Sequence, residues 1–271
     1  MKQARIPGTQ AVRRAVALLK AFTVERPRRG LADLARALRL NKTTAFRLLQ
    51  ALEAEGLVSR AADGAAYQLG PELLTLAGRV HGAQELREAA RAELASLARA
   101  TRETATLEVL VGREALVLDE EAGGYRIGAR PSIGERWPAH ASSTGKVLLA
   151  HLPRQRQVEV VKAGWPVLTP RTLTGPALAR ALARVREQVF ATAVEELEPD
   201  YVAVSAPVRD ASGEVVAALS VGGPKARMDK TRLAACTRQV VTAARRVSAR
   251  LGHGASGRAD LRPAAGEGKT R

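Results

Sequence analysis

Apolar residues in the first 80 positions recur at helical spacing in three short runs. Val12, Val16, Leu19 and Phe22 define one stretch over about 9–24, with Thr9 placed to cap it. Pro27 and Gly30 in "ERPRRG" break that run. Leu34, Ala35 and Leu38 then mark a short second helix that stops at "RLN". A third begins at Asn41: Ala45, Leu48, Leu49 and Leu52 fall at i, i+3, i+4 and i+7, and Gly56 closes it. "LVSRAADGAAYQLG" reads as two short strands around Asp63-Gly64, a pair favoured in tight hairpins. Three helices and a hairpin, with a very short turn between the second and third helices, predict a winged helix-turn-helix over 9–78, preceded by a basic arm at 1–8.

The pattern changes beyond this unit. From Pro71 to about Arg102 the chain is rich in Ala, Leu, Glu and Arg, which predicts a linker helix (79–92) and the first helix of a second domain (93–251). "TATLEVLVG" and "EALVLDEE" flank Gly112-Arg113 as a hairpin, and "YRIGAR" reads as a further strand. "SSTGKVLLAHL" and "PALARALARVREQVF" are helical, whereas "YVAVSAPVRD" and "EVVAALSVGG" are strand-length apolar runs around Ala211-Ser212-Gly213. A long helix over about 229–251 completes an α+β domain built on an antiparallel sheet. Residues 252–271 lack an apolar period and read as a disordered tail.

Charge narrows the partners. The 271 residues carry a formal charge of +16, which favours a polyanion, nucleic acid or an acidic membrane surface. Residues 1–78 alone hold 13 Lys/Arg against 6 Asp/Glu. Cys236 is the lone cysteine, so a disulfide framework and a cysteine zinc site are excluded, and the four histidines show no metal-ligand spacing. No cofactor is expected. The first 14 residues lack a signal-like apolar core, and the longest apolar-leaning run, "VVAALSVGG", is far short of the ~20 residues of a membrane span. A cytoplasmic protein with no membrane partner is expected, so the N-x-T match at Asn41-Lys42-Thr43 reads as a helix cap and not as a glycan acceptor.

The third helix offers chemistry on its uncovered face. Thr43, Arg47 and Gln50 recur at i, i+4 and i+7, with Lys42, Thr44 and Phe46 beside them, and no acid occurs before Glu53. A solvated helix start favours Asp or Glu; a start facing phosphate needs free N–H groups and positive side chains. Lys42 and the threonine hydroxyls suit phosphate or base edges, Arg47 can fork onto guanine, Gln50 onto adenine, and Phe46 can meet a thymine methyl. Arg60, with Ser59 beside it in the hairpin, would reach the minor groove or the flanking backbone.

"LADLARALRLNKTTAFRLLQALEAEGLVSR" and "YQLGPELLTLAG", followed by "IGERWPAHASSTGKVLLAHLP" and "VEELEPDYVAVSAPVRDASGEVVAALSVGGP", resemble the IclR-type bacterial transcriptional regulators over roughly 9–251. The resemblance implies a winged helix-turn-helix joined by a linker helix to a GAF-like effector-binding domain, acting as a homodimer or dimer of dimers on operator DNA. One departure is Arg39, where the family usually has Gly; a left-handed backbone there would cost Arg roughly 1 kcal/mol. The resemblance also implies that "HASSTGK" opens a helix at a small-molecule pocket, making Ser143, Thr144 and Gly145 candidate effector contacts through backbone N–H groups. An ordinary helix capped by Ser142 or Ser143 fits the same string. Carried over by alignment, the other pocket positions are Arg126, Ala129, Ala193, Ala203, Ser220 and Gly222. Members that bind small oxo-acids tend to have Asp, Cys and Ser at the places of Ala193, Ala203 and Gly222. A larger, less polar pocket and an aromatic or longer-chain organic acid are therefore expected, with Arg126 or Arg130 as charge partner.

An enzyme is the competing reading. Ser143 to Lys146 fits the S-x-x-K nucleophile motif, but K-T-G is missing and Asn41, the sole asparagine, leaves no S-D-N element. A phosphate-binding loop fails as well, with His140 at the first glycine position and Val147 after the lysine. The sequence thus favours a ligand-responsive, non-catalytic DNA-binding regulator over a GAF-like binding protein or enzyme with an idle basic domain. Operator, effector and direction of regulation stay open.

Overall fold

The computed structural model describes residues 8–23, 25–61, 64–79, 82–125 and 132–254. The chain separates into two compact units, divided between residues 81 and 82.

Unit 1 runs α1 (Gln10–Lys20), β1 (Arg29–Gly30), α2 (Leu31–Ala37), α3 (Lys42–Ala54), β2 (Val58–Arg60), β3 (Ala66–Leu69) and α4 (Glu72–Gly78). Its core is built on Leu18, Leu34 and Leu49, with Phe22, Leu52, Val58 and Tyr67 around them. Each of these large side chains contributes about 1.5–3 kcal/mol by burial. Buried Leu18 and half-buried Ala15 and Leu19 form the inward stripe of α1, with Phe22 just beyond its end, so Val12 and Val16, expected inside, are 66% and 43% exposed. The stripe runs one flank over from the one read in the sequence.

Helix α2 ends in a Schellman-type turn: the Leu40 N–H donates to the Ala35 carbonyl at 2.8 Å, and Arg39 takes the left-handed position with φ +53°. Asn41 caps α3 as expected, its Oδ1 accepting from the Thr44 N–H at 2.7 Å. β2 and β3 pair antiparallel from Val58↔Leu69 to Arg60↔Tyr67, and β1 joins the far side of β3. A two-residue strand in "ERPRRG" has no periodicity to reveal it. Gly64 takes φ +68° in the wing turn, while Asp63 lies outside the described residues.

Unit 2 runs α5 (Ala83–Thr101), β4 (Thr104–Val111), β5 (Glu114–Glu121), β6 (Arg136–Pro138), α6 (Ser143–Ala150), α7 (Arg154–Lys162), α8 (Gly175–Gln188), β7 (Ala191–Val194), β8 (Tyr201–Arg209), β9 (Val215–Pro224) and α9 (Lys230–Arg250). The two helices expected from Pro71 to about Arg102 are α4 and α5, but with other bounds: Gly78 ends the first, Gly82, at φ +81°, precedes the second, and α5 runs unbroken through the boundary expected between 92 and 93. The strands form one antiparallel sheet in the order β6-β5-β4-β9-β8-β7.

Period-2 alternation in β9 sorts its residues between two cores. Ala217, Leu219 and Val221 pack with α5 and α9 through Leu94, Leu97, Val240 and Val247. Ala218 faces the other way, toward Val147, Leu149, Leu178 and Leu182 of α6 and α8. The apolar packing on that second face covers only part of the sheet, and the remainder forms a cavity wall. Of the expected strand "YRIGAR", only Tyr125 is among the described residues.

Candidate functional sites

The exposed face of α3 carries Lys42, Thr43, Arg47 and Gln50, opposite the buried Ala45, Leu49 and Leu52. Thr44 and Phe46 are half-buried, and the Thr44 N–H is taken by the Asn41 cap. No acid stands in the first turn, so the N–H groups and Lys42 present an uncompensated positive end. Arg60 is exposed but engaged: its Nε lies 3.3 Å from Glu53 Oε1, and its guanidinium stacks on Tyr67 at 5.0 Å. It reaches a phosphate only by leaving Glu53, whereas Arg47 forms no ion pair among the described residues.

In unit 2, strand register brings together positions far apart in sequence. Ala193 pairs with Ala203, Ala203 with Gly222 and Gly222 with Thr104, one row across four strands; Ser205, Ser220 and Thr106 form the next. Ala193, Ala203, Ser220 and Gly222 all line a cavity of about 710 Å³, as do Ser143 and Thr144 at the start of α6. Arg126, Ala129 and Arg130 lie outside the described residues.

Ser142, rather than Ser143, caps α6, its Oγ accepting from the Gly145 N–H at 3.0 Å. The Ser143 and Thr144 N–H groups take no partner among the described residues, and both residues are 2% exposed on the cavity wall. Gly145 is a different case. It is not on the wall, its N–H is used by the cap, and a Cβ there would fall 2.2 Å from the Ala139 backbone. This glycine lets α6 pack against the chain. Gly222 also differs from expectation, because the space left by its missing side chain holds the Tyr201 hydroxyl, 2.2 Å from where a Cβ would stand.

The wall is not apolar. Six carboxylates line it, against the guanidinium groups of Arg102 and Arg227. Arg227 holds Glu103 through two bonds of 2.7 Å, and both arginines stack on Tyr125, at 4.6 and 4.1 Å. Lys146 is 3% exposed, with Nζ 2.6 Å from both Glu196 oxygens and 2.6 Å from the Thr192 carbonyl. Burial lowers the Lys146 pKa and raises that of Glu196, and their mutual attraction opposes both shifts. The lysine of the S-x-x-K string thus ties α6 to the connection after β7 and leaves the Ser143 hydroxyl without a base from that motif.

Glu108 was not anticipated. Regular alternation along β4 puts Thr104, Thr106 and Glu108 on the cavity face while Ala105, Leu107 and Val109 face α5 and α9; the register shift against β5 leaves the extra residue, Leu118, on β5. Glu108 is 4% exposed; Thr144 Oγ1 donates to Oε2 at 2.5 Å, and Thr106 Oγ1 donates to Oε1 at 2.8 Å while meeting Ser220 Oγ at 2.7 Å. Burial pushes its carboxyl up from the ordinary range, and the two hydroxyls oppose that shift. The signal in the sequence is a single acid inside the apolar run "LEVLV".

Known proteins match both units. The family model for the IclR helix-turn-helix domain covers residues 11–62, and that for the bacterial transcriptional regulator IclR C-terminal domain covers 79–249. The transcriptional regulator XynR of Escherichia coli (strain K12) is 32% identical over 251 residues, spanning 92% of this chain and 99% of XynR. BhcR of Paracoccus denitrificans (strain Pd 1222) is 33% identical over 245 residues, spanning 89% and 87%. Among solved structures, an IclR homologue from Microbacterium hydrocarbonoxydans complexed with 4-hydroxybenzoate superposes with a TM-score of 0.79 at 29% identity, covering 89% of this chain and 98% of that one. With both family models matched in order and relatives above 30% identity along most of its length, the chain belongs to the IclR family: a DNA-binding transcriptional regulator with a C-terminal effector-binding domain.

Proposed function

We propose that this regulator reads operator DNA with Lys42, Thr43, Arg47 and Gln50 of α3, and answers to a small organic acid longer than three carbons, held with its carboxylate at the first turn of α6. The observation that carries the effector reading is the pair of unpartnered N–H groups of Ser143 and Thr144, two residues that line one cavity with Ala193, Ala203, Ser220 and Gly222. A helix N-terminus with free donors favours an anion through both hydrogen bonds and dipole. A volume of about 710 Å³ is generous for a two- or three-carbon acid and suits a ring or longer chain. The 4-hydroxybenzoate complex of the Microbacterium homologue supports that size class.

The protein acts without catalysis, as a homodimer or dimer of dimers. The exposed Val12 and Val16 on α1 and Leu74 and Leu76 on α4 supply apolar surface for self-association. Effector binding alters operator occupancy only if it favours one arrangement of the paired heads over another, and the segment from Pro71 into α5 is the transmitter.

Calorimetric titration of the full chain with 4-hydroxybenzoate and with glyoxylate tests the effector reading. The larger acid should bind more tightly, and Ser143→Pro should weaken it at least tenfold. Proline suits the first helical position and removes the N–H together with the hydroxyl, so Ser143→Ala, which removes the hydroxyl alone, is the reference, and Ser142 already has the extended backbone that a following proline needs. Binding confined to glyoxylate, or unaffected by Ser143→Pro, would overturn it.

A further inference from the structure

Four glutamates of unit 2 are at most 8% exposed, and three have a dedicated cation. Glu93 has Arg250 at 2.7 Å, Glu103 has Arg227 at 2.7 Å, and Glu196 has Lys146 at 2.6 Å. Glu108, 4% exposed, has none among the described residues; its partners are the hydroxyls of Thr106 and Thr144. A buried carboxylate compensated by two neutral donors is a demanding arrangement, because each oxygen keeps an open lone pair and the charge lacks a counter-ion. The missing partner has a route in, since Glu108 is on the wall of the cavity. Glu198 and Asp200 line the same cavity and form no ion pair among the described residues, so its charge balance also favours an incoming cation.

Resting on the reading that the carboxylate of an organic acid sits at the start of α6, we propose that the effector also carries a protonated amine and that Glu108 is the counter-ion of that amine. Thr144 sets the spacing. Its N–H belongs to the open first turn of α6, and its hydroxyl holds Glu108 at 2.5 Å. One residue thus joins the anion-binding and cation-binding points, so the two charged groups of the ligand stand on the same carbon or on adjacent carbons, as in an α- or β-amino acid. Trp137 and Tyr201 also line the wall and supply aromatic surface for the rest of the molecule. A simple carboxylic acid would instead bring a second negative charge beside Glu108 and could bind well only by taking up a proton.

The test is a thermal-shift screen of the full chain against the proteinogenic L-amino acids and β-alanine, each paired with its deaminated acid and its decarboxylated amine. The best trio is then titrated by calorimetry near pH 7 in two buffers of different ionisation enthalpy. The expected result is an amino acid at least tenfold tighter than its deaminated acid, with no net proton uptake. Glu108→Gln should erase that preference and tighten the deaminated acid. Because the proton count is read on the unaltered protein, a failure of Glu108→Gln to fold leaves the proposal exposed to refutation. A deaminated acid that binds as tightly as the amino acid, with uptake of a proton, would overturn the amine while leaving the organic-acid reading intact. An amine that binds as tightly as the amino acid would overturn the carboxylate contact at α6 and keep Glu108 as a cation site. No binding by any member would overturn both.

Discussion

Arg39 closes α2 with φ +53°, a conformation in which most side chains crowd the following carbonyl. It is exposed in the turn that leads into α3. Arg39→Gly should raise the stability of unit 1 by about 1 kcal/mol, seen as a higher melting midpoint, while removing one cation beside the start of α3 and, on the proposed reading of that helix, weakening duplex binding. An unchanged or lower midpoint would show that the turn relaxes around Arg.

Glu108 has the opposite character: a residue whose charged form is disfavoured by its surroundings. Burial raises its carboxyl above the unfolded value, near 4.5, so the native state holds that proton more tightly than the unfolded chain. Its stabilising contribution is full below about pH 4.5 and is lost as pH rises through the folded value. Thr106 and Thr144 face it, Tyr201 feels its charge, and the pairs Glu103–Arg227 and Glu196–Lys146 are common to both proteins being compared. Without effector, stability relative to Glu108→Gln should therefore fall from pH 4.5 toward neutrality, measured by denaturant melts at several pH values; parallel profiles would contradict it.

At this scale the sequence was unevenly legible. Asn41 could be read as a cap because its role depends on local spacing alone. Gly145 could not, since what matters is the Ala139 backbone that α6 packs against. Glu108 escaped because alternation along β4 places it on one face with Thr104 and Thr106 but does not reveal that this polar face is covered.

At the scale of elements, α3 carries the specificity claim. Arg47→Ala should cost about 1–3 kcal/mol on the preferred operator and relax discrimination at one base pair, whereas Lys42→Ala should weaken all duplexes nearly alike and flatten the salt dependence. Fluorescence anisotropy on matched operator and scrambled duplexes at several salt concentrations separates the two; equal losses on both duplexes for Arg47→Ala would move the reading residue elsewhere.

The elements found from sequence were those with a long apolar stripe or a long β-branched run, such as α3, α9, β8 and β9. Those passed over lack that signal. β1 has two residues, β6 three, β7 is half alanine, and α7 buries none of its side chains. Yet β7 supplies Ala193 to the pocket row, and only the resemblance, not periodicity, pointed to it.

The whole molecule joins two chemistries with different electrostatic signs. Unit 1 concentrates positive charge on and around a helix start, and unit 2 lines a cavity with more acid than base. A net charge of +16 pointed correctly to a polyanionic partner but concealed the acidic pocket, because composition averages over both units. The fold class was legible because two separated blocks resemble one family in the same order. The polarity of the cavity was not, since it depends on which strand residues the register brings face to face. No helix among the described residues is long and apolar enough to cross a membrane. Sedimentation of the full chain should give a dimer or tetramer; a monomer at micromolar concentration would remove the paired heads on which effector control is argued.

The central claim is that effector and operator binding are coupled. The most direct measurement is the operator affinity of the full chain, by anisotropy on a duplex selected from genomic fragments, with and without a saturating concentration of the tightest acid from the titrations. A change in Kd of at least fivefold, about 1 kcal/mol or more of coupling, is the expected result. An operator affinity unchanged while calorimetry shows the acid bound would contradict it.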